Sequence, residues 1–294
     1  MSTAAPRITI LDGAMGTELR ARGASVPDYR SSAWSAMALV HDPGTVRQVH
    51  SDYIAAGADV ITANNYAVVP NLLARVGMAD RLEELTRLAC QLALEARAAN
   101  HRPAVRVAGS LPPLDTTYES DLVAPERDLY EVYLRIARVL ATDVDLVIAE
   151  TLTTVREAVA AARAAAEVGL PLWVSWNLRL DAPLIRGGES LEQGIAALQS
   201  LPVEGYMVNC VPTGLVQPAL ELMRRCTDRP LGAYANNCEM AADQATLDAN
   251  AVQALSPQQY VLASERWVEA GATWIGGCCD TRPDYIAALA ARWN

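Results

Sequence analysis

The stretch Trp274-Ile275-Gly276-Gly277-Cys278-Cys279 sets two adjacent thiols at the end of an apolar run, and Gly205-Tyr206-Met207-Val208-Asn209-Cys210 ends a second such run with a third. Cysteine binds metals as its thiolate, and zinc held by three protein ligands keeps a fourth position for water or substrate, whereas structural zinc sites usually close with four. Three thiolates make a bound zinc electron-rich and a weak activator of water, so hydrolysis is not the chemistry this set favours. A soft site suits a fourth sulfur instead. A free thiol with a pKa of about 8.5 is only a few per cent ionised at neutral pH, and coordination removes its proton outright. The expected outcome is an activated sulfur nucleophile. Each cysteine taken singly is better explained as a small buried hydrophobe, but three that share strand ends point to metal.

Cys210 can meet Cys278 and Cys279 only if their strands are parallel members of one sheet. Eight short, apolar, β-branched segments recur along the chain, at 8–13, 60–65, 105–110, 146–151, 172–177, 205–210, 231–236 and 274–279. Each is almost continuously hydrophobic, as expected of parallel strands covered on both faces. Between them lie Ala/Leu/Arg/Glu-rich stretches with helical spacing, among them 80–100, 126–142 and 154–168. Ala-Gly-Ala-Asp at 56–59, Ala-Gly-Ala-Thr at 270–273 and Val168-Gly169-Leu170-Pro171 each place Gly between a helix and the next strand. Eight such alternations predict an α/β fold, a single-domain (β/α)8 TIM barrel over residues 1–294, with every strand opening its C-terminal end on one face. The alternative, an open doubly wound sheet, would carry a Gly-x-Gly-x-x-Gly loop after the first strand, and none is present. Neighbours in a strand point to opposite sides, so Gly276 and Gly277 are expected to let the backbone bend until both thiols face one ion. The longest non-helical insert, 111–125, is rich in Pro, Asp and Thr and is a candidate lid on the same rim.

Composition narrows the function classes. The 294 residues are 51% hydrophobic and 20% charged, with a formal net charge of −10, which allows a large core and offers no basic face to nucleic acid. Apolar runs are broken too soon to span a bilayer, and Met1-Ser2-Thr3-Ala4-Ala5-Pro6-Arg7 lacks the apolar centre of a signal peptide. The expected setting is cytoplasmic and reducing, where six Cys serve as metal ligands or free thiols rather than disulfides. Small molecules are the expected partners, with no nucleic acid and no membrane; the oligomeric state is not legible. Phe is absent and every basic residue is Arg, a bias that suggests no mechanism.

Further motifs run nearly end to end: Leu11-Asp12-Gly13-Ala14-Met15-Gly16-Thr17-Glu18-Leu19, Gly57-Ala58-Asp59-Val60-Ile61, Glu150-Thr151 with Glu157-Ala158, Val208-Asn209-Cys210, Tyr234-Ala235-Asn236 and Gly276-Gly277-Cys278-Cys279. Together they resemble the zinc-dependent homocysteine S-methyltransferases, with Cys210 and the Gly-Gly-Cys-Cys motif as the specific part. The resemblance implies that Cys210, Cys278 and Cys279 bind Zn2+ and that homocysteine sulfur attacks a methyl group on a sulfonium, betaine or methylfolate donor. It places Asp12, Gly13 and Glu150 around the ammonium and adjoining backbone of the amino acid, where two carboxylates suit one cation. Asp12 by itself reads equally as a helix N-cap, and Glu150 as a loop carboxylate, although the apolar Leu146-Val147-Ile148-Ala149 before it favours burial at the rim. Tyr66 would offer an aromatic face to a methyl-bearing cation or simply pack. Tyr234 and Asn236, ending the seventh strand, could make polar rim contacts. Trp34 reads as a surface-packed residue, with pocket cover as the alternative. Cys238 is expected to line the pocket rather than close the metal site, and Cys90 and Cys226 to pack. None of His41, His50 and His101 is assigned to metal or base work, since a sulfur ionised by zinc needs no general base. Rate enhancement then comes from alignment and exclusion of water.

Three departures from the family pattern are expected to surround the donor pocket and to leave the acceptor half intact. Ser110-Leu111-Pro112-Pro113-Leu114-Asp115 stands for a common Gly-Pro-Tyr-Gly, Trp176-Asn177 for Phe-Thr, and Asn237-Cys238-Glu239-Met240 follows Tyr-Ala-Asn. With no cobalamin or folate module, a sulfonium of the S-methylmethionine type is the expected donor and methionine the product. The alternatives are another thiol or selenol as acceptor, a betaine donor, or a non-catalytic zinc or redox thiol protein.

Overall fold

A computed structural model describes residues 7–28, 30–115, 117–238 and 254–293. Residues 1–6 of the N-terminal stretch, and Glu239 and Met240 of the third departure, lie outside the described residues. Eight strands are present among those described: β1 Thr9–Ile10, β2 Val60–Thr62, β3 Arg106–Leu111, β4 Leu146–Leu152, β5 Leu172–Trp176, β6 Val203–Asn209, β7 Leu231–Ala235 and β8 Ala272–Gly277. They pair in parallel in the order β1-β8-β7-β6-β5-β4-β3-β2. The ring closes between β1 and β2 through a bridge from Leu11 to Val60, with the Asp59 N–H donating to Ile10 O at 2.7 Å and the Asp12 N–H to Val60 O at 3.0 Å. Two carboxylates stitch that seam: Asp59 accepts from the Ile10 N–H at 3.0 Å, and Asp12 from the Thr62 N–H at 2.8 Å. The architecture is the (β/α)8 barrel that the alternation predicts, and the open sheet is excluded.

The expected helices form close to their predicted bounds. Leu82–Ala99 follows a 3-10 turn at Ala79–Arg81, and Glu126–Leu140 follows the long insert. Val155–Glu167 opens on a reciprocal cap, in which the Thr154 side chain accepts from the Glu157 N–H and the Glu157 carboxylate from the Thr154 N–H. Gly57 and Gly271 leave their helices at φ 105° and 100°, a left-handed exit that costs Gly little. No helix among the described residues is long and apolar enough to cross a membrane.

Strand alternation divides the apolar residues between two cores. One set, including Val60, Ala108, Ile148, Trp173, Met207, Tyr234 and Trp274, fills the barrel; the other packs against the helices. The floor is a stacked pair, Trp173 on Trp274, with centroids 3.9 Å apart and planes at 16°. Gly205 makes room for it, because a Cβ there would lie 2.5 Å from the Trp274 ring. The Trp173 indole N–H finds Glu204 at 2.9 Å, so its polar atom is satisfied at the rim of the floor. Trp274→Ala is expected to destabilise the protein by about 3–5 kcal/mol through cavity formation, seen as a lower urea midpoint with far-UV dichroism unchanged. A midpoint matching the parent would show that the stack does not hold the barrel.

Candidate metal centre and substrate pocket

Alternation brings Cys278 to the barrel mouth but not Cys210. In β6, Met207 faces the interior and Asn209 reaches inward to Ser175 and Thr151, so residue 210 should face the helices. Cys210 instead takes φ 54°, which breaks the alternation and returns its sulfur to the mouth. A non-glycine residue in that region stores about 1–3 kcal/mol of strain. The Asn177 side chain fixes the turn by donating to Cys210 O at 2.8 Å.

The adjacent thiols are carried differently from the expectation. β8 ends at Gly277, and Cys278 and Cys279 sit in the turn beyond it. There the Thr281 N–H donates to Cys278 O at 3.1 Å, the Thr281 hydroxyl at 2.6 Å, and Asp280 lies at φ 60°. Gly276 and Gly277 do not bend the strand: both stay in register with Tyr234 and Ala235 of β7, and neither has positive φ. They are small because space is short: a Cβ on Gly276 would lie 2.6 Å from that of Leu11, and one on Gly277 would run into Thr281.

The three sulfurs lie within 4.8 Å of one another, and Cys210 and Cys279 are 3.7 Å apart. Tetrahedral zinc with bonds near 2.3 Å needs sulfur–sulfur separations of about 3.8 Å, so the trio fits a soft ion in both chemistry and spacing. Donation from Cys278 and Cys279, then from Tyr118 and Asn236, holds the Cys210 thiol well below its usual range despite burial. Its two neighbours are raised in turn by their contacts with Cys210 and by burial. Asn236 backs the centre on both sides. Its Oδ1 accepts from the Cys279 N–H at 3.1 Å, while Nδ2, with no conventional hydrogen-bond partner, favours the Cys210 thiolate.

The trio forms one wall of a cavity of about 780 Å³ at the mouth. Asp12, Gly13, Tyr66, Glu150, Tyr234 and Asn236 line the same cavity, so every site residue expected from the sequence is brought together. Asp12 caps no helix: its carboxylate is spent on the Thr62 N–H. Burial pushes its pKa up to about 8 against that hydrogen bond, and nearby Glu150 adds repulsion. Glu150 points inward at the alternate position after Ile148. Burial raises it to about 7 against the hydrogen bond from Tyr234, whose phenol lies 3.3 Å away. Two carboxyls poised near neutrality are disfavoured as anions by burial and gain from an incoming cation. Gly13 allows close packing, since a Cβ would fall 2.6 Å from Thr281 O. Tyr66 shares a hydrogen bond with Thr117 at 2.9 Å and meets Trp34 edge-on at 6.1 Å.

Several side chains stand elsewhere than expected or went unforeseen. Trp34 is a pocket residue rather than surface packing, because its ring lies over Gly16 and beside Tyr66. Trp176 turns to the helical layer and stacks on Tyr206 at 5.9 Å, and neither it nor Asn177 is among the residues that line the cavity. Cys238 is buried in the cavity wall outside the trio, its thiol pushed up to about 11 by burial. Cys90 is buried in its helix. Asn209 was visible as an amide in an apolar strand, yet its role depends on the fold. It accepts from the Thr151 N–H at 2.8 Å and from the Ser175 hydroxyl at 2.6 Å, tying the residue after Glu150 to the one before Cys210. Tyr118, whose phenol shares a hydrogen bond with the Cys210 sulfur at 2.7 Å, gave no signal in the sequence.

Comparison with known proteins matches the chain to a family. Residues 9–293 match the family model described as homocysteine S-methyltransferase. The chain is 32% identical to the homocysteine S-methyltransferase of Escherichia coli (strain K12), over 97% of this chain and 95% of that one. The metallated form of the homocysteine methyltransferase MmuM from Escherichia coli superposes with a TM-score of 0.83 at 30% identity, covering 97% of this chain and 96% of that one. The apo form of MmuM, at the same coverage and 29% identity, gives 0.75.

Proposed function

This chain belongs to the homocysteine S-methyltransferase family, and from that premise we propose that it moves a methyl group from a sulfonium of the S-methylmethionine type to the thiolate of homocysteine, with zinc on Cys210, Cys278 and Cys279. Membership makes it a methyltransferase; the metal, the donor and the residue roles are our reading. One observation carries it: three sulfurs at zinc spacing share a cavity with two carboxyls raised toward neutrality.

When bound, zinc would supply an acceptor sulfur already stripped of its proton. Asp12 and Glu150 would hold the acceptor's ammonium, with the Tyr234 phenol orienting the Glu150 carboxylate. Tyr66 and Trp34 would offer ring faces to the sulfonium, where a desolvated cation gains about 2 kcal/mol. In the transfer itself a carbon–sulfur bond forms to the acceptor as another breaks at the sulfonium, whose electron pair stays with a neutral thioether. No protein group has to take a proton. Charge on the wall supports a cationic donor: beyond the two carboxyls assigned to the acceptor, Asp28, Asp115 and Asp280 line the cavity, and Arg20 is the cation lining it among the described residues. Six unpaired thiols support a reducing, cytoplasmic setting.

Zinc-loaded protein supplied with homocysteine and S-methylmethionine is expected to form two methionines per homocysteine consumed, one from each substrate. A betaine donor would form one. Absence of turnover with every sulfonium and betaine offered would defeat the proposal.

A further inference from the structure

The insert after β3 reaches across the mouth and places one side chain on the thiol trio. Tyr118 lies at φ 73°, a backbone conformation that bulky residues rarely hold. Its phenol is 2.7 Å from the Cys210 sulfur, close enough to feel Cys278 and Cys279 as well. Arg186, from the segment after β5, pins it in place: the guanidinium Nε–H donates to Tyr118 O at 3.1 Å, and the cation sits 5.6 Å from the ring centre. The preceding Thr117 is tied to Tyr66. Both Tyr118 and the three cysteines line the cavity, so the phenol stands on the side from which an acceptor sulfur must arrive.

Resting on the acceptor reading above, we propose that Tyr118 is a gate that determines acceptor specificity: its phenol covers the cavity-facing side of the trio, and a thiol gains the metal only by displacing it. An oxygen within hydrogen-bond distance of Cys210 and an incoming sulfur cannot share that space. Homocysteine can offset the displacement through its ammonium at Asp12 and Glu150, whereas a thiol without an ammonium cannot. The gate therefore rejects small neutral thiols, which would otherwise compete for a soft site open to the cavity. Its left-handed backbone, strained for a bulky side chain, suits a residue that must move.

The test uses the full chain loaded with cobalt(II), without methyl donor, and follows the thiolate charge-transfer band during titration with homocysteine or 2-mercaptoethanol. Tyr118→Phe removes the O–H···S bond and is expected to tighten both thiols about 3- to 10-fold, more for 2-mercaptoethanol, at unchanged cobalt content. Arg186→Met, remote from the sulfurs, unpins the same loop; it replaces Tyr118→Phe as the deciding variant if the latter loses metal, with the same shift expected. Homocysteine binding that is unchanged or weaker in the deciding variant overturns the gate alone. No thiol response in parent or variant overturns the acceptor reading and the gate together.

Discussion

Cys278→Ser is expected to strip zinc from the protein and to lower methionine formation by about a thousandfold or more. Two losses combine in that figure. Without the ion, a thiol of pKa about 8.5 is roughly 3% ionised at pH 7, which removes a factor of about 30. Loss of a fixed sulfur position beside the donor removes at least a comparable factor. Serine matches the shape of cysteine, and the side chain at 278 lies in a turn anchored by the Thr281 N–H and hydroxyl, so the metal-free fold should survive. Zinc content, turnover and melting temperature measured on one sample separate metal loss from unfolding. A variant that kept both its zinc and its rate would remove Cys278 from the ligand set.

Glu150→Gln should raise the KM for homocysteine about 10- to 100-fold, the value of a charge-assisted contact of about 1.5–3 kcal/mol. The pH dependence carries the sharper test. Burial lifts Glu150 from 4.5 to about 7 and Asp12 from 3.8 to about 8. Both are largely protonated at pH 6 and charged above pH 8, and only the charged forms attract an ammonium. The kcat/KM of the parent should therefore climb through that interval, reporting the free enzyme. Stability of the ligand-free fold should move the other way. An acid raised on folding contributes most below its unfolded pKa, near 4, and that contribution is lost as pH rises through 7 to 8. Glu150→Gln should flatten the lower part of the kcat/KM rise and make the empty protein more stable at pH 8 than its parent. A profile identical to the parent's would rule Glu150 out as the partner of the ammonium.

The barrel was legible because parallel strands buried on both sides leave continuous apolar runs, and because glycine marks the helix exits; the strands fall within or close to all eight segments. The trio was legible because sulfur is rarely placed at three strand ends without purpose. What the sequence hid depends on contacts between distant residues. Strand parity alone would have sent the Cys210 side chain to the helices, and only the φ of 54° brings it back. The glycines before Cys278 suggested flexibility, yet their neighbours Leu11 and Thr281 show that they answer to crowding. Trp176 looked like a pocket change until the fold set it against Tyr206. Tyr118 lies in an irregular insert, where no periodicity assigns a direction to a side chain. Its contact with Cys210 arises only when the third and sixth strands are brought around to the same mouth.

The closing seam gives residue 12 two unrelated obligations. Its carboxylate buttons the first strand to the second through Thr62 and also faces the cavity. Asparagine could keep the button while surrendering the charge; a hydrophobic replacement would forfeit both. An aspartate retained there in descendants would thus be weak testimony about what the protein consumes, because architecture alone favours a short side chain with an oxygen. Drift from acid to amide, with the hoop still fastened, would be the trace of an ancestral diet abandoned.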